Sequence, residues 1–138
     1  MLKCIGIIVN LNKDITLEVT KLLIKLLEEK GIEPVLFGDV AEKLGRPVIS
    51  RSTFFSRSSA VFVLGGDGTM LGVIAEASIK GKPVMGINMG RLGFLSEIEI
   101  SELNNALDII AAGQYKIDER MMLECQVHGK KFYALNEI

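Results

Sequence analysis

Five consecutive apolar residues, Ala60 to Leu64, run directly into Gly65-Gly66-Asp67-Gly68-Thr69, and an apolar, helix-forming stretch follows over residues 70–78. This reads as strand, tight glycine turn, helix, the repeating unit of α/β sheets. Glycines lack a Cβ, so the backbone can turn with positive φ and approach a ligand closely. The N–H groups at the start of the helix, with its dipole, make an anion site, usually for phosphate. Asp67 does not belong in a simple phosphate cradle, because a carboxylate among phosphate-facing amides repels the phosphate unless it has a separate task. Two tasks fit: holding a Mg²⁺ that bridges phosphates, or accepting a proton from an attacking hydroxyl. An Asx turn or a helix N-cap is the purely structural alternative.

The turn departs from two familiar phosphate loops. A Walker A loop requires Gly-Lys-Ser/Thr at its end, whereas Met70 follows Gly68-Thr69 here. The dinucleotide fingerprint requires G-x-G-x-x-G/A and an acid about 20 residues on. Gly66, Gly68 and Gly72 give a looser spacing, and Asn88 follows the next strand. Phosphoryl transfer therefore ranks above hydride transfer.

The rest of the chain repeats the same grammar. Residues 2–9 form a nearly all-apolar strand, and a polar loop follows from Asn10 to Asp14, with Asp14 positioned to cap the next helix. Ile15, Val19, Leu22, Leu23, Leu26 and Leu27 recur at helical spacing, Gly31 stops that helix, and residues 34–37 form a second short strand. Such an opening βαβ unit favours a parallel sheet. Residues 39–44 suit a short helix. Residues 45–59, with five serines, Pro47, Arg46, Arg51 and Arg57, read as an irregular connector with solvated arginines. Lys80-Gly81-Lys82-Pro83 ends the central helix, and residues 84–87 form another buried strand. Gly86, Gly90 and Gly93 then crowd a second strand end, so both glycine turns open on the carboxyl edge of the sheet. Ser101 caps a helix whose apolar face is Leu103, Ala106, Leu107, Ile110 and Ala111. Beyond Gly113 the pattern changes to imperfect alternation over residues 116–127, a turn at His128-Gly129 and a strand over 131–135, which is a β-hairpin.

The expected architecture is thus α/β, an open and mostly parallel three-layer Rossmann-like sheet over residues 1–113. Residues 114–138 open a second, β-rich domain that the chain carries only in part.

Composition narrows the function. At 138 residues and 49% apolar, the chain can build a real core. A net charge of −1 with no basic block argues against nucleic acid, and no apolar run approaches a membrane span. The start of the chain lacks a signal-peptide cleavage site. Cys4 and Cys125 read as free thiols of a reducing cytoplasm, and His128, the sole histidine, as a surface turn residue. No metal-ligand cluster stands out.

With these motifs in place, the chain resembles the N-terminal half of bacterial NAD kinases. The likeness rests on Gly65-Gly66-Asp67-Gly68-Thr69, on Gly86-Ile87-Asn88 with residues 90–95, and on Asn136-Glu137. The glycine-aspartate turn alone also resembles those of diacylglycerol and sphingosine kinases and of phosphofructokinases. The resemblance implies phosphorylation of NAD at the adenosine 2′-hydroxyl by ATP or polyphosphate, with Mg²⁺, in a cytoplasmic homo-oligomer. It implies that Asp67 is the proton acceptor and that Gly68 lies in the part of the turn meeting NAD. It further implies that Gly65, Gly66 and Thr69 shape the phosphate side, and that Asn136 and Glu137 contact NAD. Asn88 and Arg91 fall in the second family loop. A lipid kinase domain, and a folded module that does no chemistry by itself, are the alternatives.

Overall fold

The computed structural model describes residues 2–11, 17–65, 67–88, 98–113, 122–127 and 130–135. The first strand, β1 (Cys4–Val9), leads to α1 (Glu18–Glu29), the edge strand β2 (Glu33–Val35) and α2 (Gly38–Lys43). Next come α3 (Arg51–Arg57), β3 (Ala60–Gly65), α4 (Asp67–Ile79) and β4 (Val84–Asn88). The short strand β5 (Ile98–Glu99), a 3₁₀ turn (Ile100–Glu102) and α5 (Leu103–Ala111) follow, and β6 (Met122–Val127) pairs with β7 (Lys130–Leu135).

The first five strands make one parallel sheet in the order β2-β1-β3-β4-β5. β6 and β7 form the antiparallel hairpin that the alternation over residues 116–135 predicts, and β7 lies against α4. Among the described residues no helix is long and apolar enough to cross a membrane.

Side chains alternate across the sheet, and both faces are covered. Ile5, Ile7, Phe62, Leu64 and Ile87 pack with Leu23, Leu27, Leu103 and Leu107 on the α1/α5 side. Val61 and Val63 pack with Phe54, Phe55, Met70, Val73 and Ala77 on the α3/α4 side. β3 is buried along its whole length, which is why it reads as an unbroken apolar run rather than an alternating one. Each fully buried Leu, Ile or Phe of these layers contributes about 1.5–3 kcal/mol.

Five expectations need correction. Residues 51–57 are a helix, not a connector. Ser50 caps it by accepting from the Thr53 N–H at 3.1 Å, and Phe54 and Phe55 are its buried anchors. Its arginines are paired rather than merely solvated: Arg51 with Glu76 and Arg57 with Glu33, while Arg46 reaches Glu28 at 3.3 Å. Asp14 lies outside the described residues, and the position before α1 is Leu17, buried and with a left-handed φ of 59°, which supplies no side-chain cap. The buried face of α1 carries Ile24, while Leu22 points outward. Ser101 sits within the 3₁₀ turn, so Glu102 rather than Ser101 precedes α5, again without a side-chain cap.

Candidate functional site at the carboxyl edge of β1 and β3

The strand order fixes where a ligand can enter. From β1 the chain moves outward to β2, then returns past β1 to β3 and continues to the other side. The connections leaving β1 and β3 therefore diverge to opposite sides, and a crevice opens beyond their carboxyl ends. The register aligns what borders it. Val9 is level with Leu64, Gly65 with Asn88, and Asn88 with Glu99. Asn10 continues β1 by one residue, donating its backbone N–H to the Leu64 carbonyl at 2.9 Å. Asn10, Gly65, Asn88 and Glu99 thus form one row across four strand ends.

The predicted glycine turn lies in this row and is tighter than the sequence suggested. β3 runs through Gly65 and α4 begins at Asp67, so Gly66 alone separates them. Asp67, Gly68 and Thr69 form the first turn of the helix rather than a loop. Their N–H groups belong to the set that finds no partner within a helix, and an acid at this end interacts favourably with the helix dipole.

Two side-chain features hold the turn. The Asn10 amide Nδ2 donates to the Thr69 hydroxyl Oγ1 at 3.2 Å, joining the end of β1 to the first turn of α4. The Thr69 side chain lies over Gly65: a Cβ added there would stand 2.7 Å from Thr69 Oγ1 and 2.9 Å from its Cβ. Gly65 is therefore required by close packing. Gly68 is exposed, and none of the described residues comes within 4 Å of where its Cβ would be.

The structure thus brings together Gly65, the backbone of Asp67, Gly68 and Thr69, with Asn88 level beside them. Gly66, Arg91, His128, Asn136 and Glu137 lie outside the described residues. Asn10, which the sequence offered only as the start of a polar loop, is an added member. Its signal was legible: it is the first polar residue after an apolar strand, on the strand that borders the switch in direction. Among the described residues no group of three His, Cys, Asp or Glu side chains converges as a metal site. Two surface clefts, of about 590 and 410 Å³, lie along α1 and along the β2 edge, and neither is lined by Asn10, Gly65 or Thr69.

The ATP-NAD kinase N-terminal domain family matches residues 5–115. The chain is 40% identical to an NAD kinase of Thermoanaerobacter sp. (strain X514) over 144 aligned residues, covering 99% of this chain and 51% of that protein. It is 41% identical to the NAD kinase of Caldanaerobacter subterraneus subsp. tengcongensis, with the same coverage. The chain therefore spans about half the length of the curated relatives it matches. Among solved structures, yeast NADH kinase complexed with NADH superposes with a TM-score of 0.80 at 22% identity, over 97% of this chain and 46% of that one. An NAD kinase from Archaeoglobus fulgidus in complex with ATP gives a TM-score of 0.56 at 18% identity, over 88% of this chain and 40% of that one; both likenesses speak for the fold. By the family match and by these relatives, the chain belongs to the ATP-NAD kinase N-terminal domain family.

Proposed function

We propose that this chain carries the phosphate-handling turn of an NAD kinase, which moves a phosphoryl group from ATP or polyphosphate to the adenosine 2′-hydroxyl of NAD and yields NADP. The observation that carries the reading is the β3–Gly66–α4 junction, set at the switch in strand direction within the segment that matches the family.

A ribose hydroxyl is a weak nucleophile at neutral pH. Phosphoryl transfer needs in-line positioning, neutralised charge and a destination for the proton. In this reading Asp67 accepts that proton. Gly65, Gly66, Gly68 and Thr69 bring the N–H groups of the first helical turn to the phosphates, and Asn136 and Glu137 contact NAD. Magnesium arrives with the nucleotide as substrate. Mg²⁺ keeps waters and phosphate oxygens as ligands and asks for only one or two carboxylates from a protein, so holding the ion is the rival task for the same Asp67 carboxylate. Residues 1–113 act as the catalytic-turn domain and residues 114–138 as the start of a β-rich one. The working protein is a cytoplasmic homo-oligomer.

The test is NADP formation from NAD, MgATP or polyphosphate, read with an NADP-specific dehydrogenase. It is run on this chain and on a fusion to the second half of the Thermoanaerobacter relative. Product is expected, and Asp67→Asn is expected to lower its rate by about 10²–10⁴-fold while the fold persists. An unchanged rate in Asp67→Asn defeats the proton-acceptor role. Product from the fusion alone marks the isolated chain as a non-catalytic module. Phosphorylation of diacylglycerol in place of NAD would replace the reading with a lipid kinase.

A further inference from the structure

We propose that Asn10 is a positioning residue for the phosphate-handling turn: its side-chain amide holds the Thr69 hydroxyl as a hydrogen-bond donor to the bound phosphate. The proposal rests on the reading above.

Threonine offers one O–H donor and two acceptor lone pairs. The Asn10 amide Nδ2 donates to Thr69 Oγ1 at 3.2 Å, so one lone pair is taken by a neutral donor. The threonine's own hydrogen must then point away from that amide. The side chain is also held against Gly65, where the missing Cβ leaves room for it and no more. One hydroxyl is thus fixed in position and in polarity beside the first-turn N–H groups, which are themselves donors. A phosphate there would meet these N–H groups and the Thr69 hydroxyl as donors, which its oxygens require.

Asn10 suits this task because its backbone is secured independently. The Asn10 N–H bonds to the Leu64 carbonyl at 2.9 Å whatever side chain the residue carries. Substituting the side chain therefore leaves the strand register intact while removing the tie to Thr69. An aspartate at this position would have the same shape with no proton to give. It would accept from the Thr69 hydroxyl, reverse the polarity, and place a carboxylate beside the phosphate.

Two measurements on the 138-residue chain test this. The first is the Thr69 χ1 rotamer, read from ¹³C-methyl NMR couplings without ligand. A single rotamer in the wild type that averages in Asn10→Ala supports the tie; the same locked rotamer in both overturns it. The second is the affinity for MgATP and for inorganic tripolyphosphate by calorimetry. Asn10→Ala and Thr69→Val should each weaken binding on the order of tenfold, the loss of one hydrogen bond to a charged group. Asn10→Asp should weaken it further than Asn10→Ala. In the Asn10→Ala/Thr69→Val double variant the penalty should match Thr69→Val alone, because one residue acts through the other. Additive penalties, or wild-type affinity in Asn10→Asp, overturn the proposal and leave the kinase reading standing. A wild-type chain that binds neither probe at millimolar concentration overturns the phosphate reading and this proposal with it.

Discussion

Gly65 and Gly68 belong to one turn and are glycine for different reasons. At Gly65 the protein itself excludes a side chain, since a Cβ would press on Thr69 at 2.7 Å. Gly65→Ala should push Thr69 off the Asn10 amide, destabilise the chain by about 1–3 kcal/mol as overpacking does, and weaken phosphate binding. At Gly68 none of the described residues opposes a side chain, and the position is helical. Glycine inside a helix costs about 0.5–1 kcal/mol relative to alanine, so its presence is unexplained by packing. On the proposed reading, the ligand needs the room. Gly68→Ala should leave the urea midpoint equal or higher while lowering MgATP affinity; wild-type affinity in that variant would remove Gly68 from the site. The spacing of these residues was visible in the sequence. The distinction between them was not, because it depends on where Thr69 folds back.

At the scale of elements, β1, β3 and β4 were legible because buried parallel strands are short apolar runs that end at glycine or polar residues. α5 was legible from its periodicity: Leu103, Leu107 and Ile110 are its buried face. α3 was not. A helix of seven residues with two adjacent buried phenylalanines has no 3.6-residue pattern to find, and its serines and arginines imitate a loop. Its local signal was the Ser50–Thr53 cap. What fixes α3 lies elsewhere in the chain. Gly6 on β1 leaves room for it, since a Cβ there would stand 2.3 Å from the Ser58 hydroxyl and 2.6 Å from the Phe54 ring. The Ser58 hydroxyl is itself held, donating to the Phe54 carbonyl at 2.7 Å. Neither neighbour can retreat, so Gly6→Ala should cost at least about 1–3 kcal/mol by chemical denaturation. The exposed pairs Arg51–Glu76 and Arg57–Glu33 around the same helix should matter much less, because ion pairs open to solvent contribute about 0–1 kcal/mol each.

For the whole molecule, the parallel pairing and the edge on which the β3–α4 turn opens followed from the alternation of strands and helices. The second glycine stretch and the Asn136-Glu137 pair rest on sequence alone, since they lie outside the described residues. One titration bears on global stability. Burial raises the Cys4 thiol pKa above its ordinary value, and Glu33, which accepts the thiol hydrogen bond at 3.5 Å, pushes it the same way through that bond and its charge. The unfolded chain therefore loses this proton first as pH rises. The contribution is whole below the ordinary thiol value and declines from there as pH climbs through the folded one. Wild type and Cys4→Ala, compared by urea unfolding at neutral pH and in the alkaline range, should show a shallower alkaline loss in the variant. Equal slopes would show that Cys4 titrates alike in both states.

The bond from Asn10 to Thr69 joins residues 59 positions apart, and this has a consequence for how the chain folds. The turn cannot be completed by its own neighbourhood; β1 must first find β3 across three helices and an edge strand. Contacts of such long range form late and slowly compared with local ones. A ligand that needs the finished turn has nothing to grip on a partly assembled sheet. It binds the native state alone, and at a hundred times its dissociation constant it would deepen the native well by about 2.7 kcal/mol. Nucleotide would then act on this chain as a folding effector as well as a reactant, slowing global unfolding while leaving local fraying of α2 or α5 untouched.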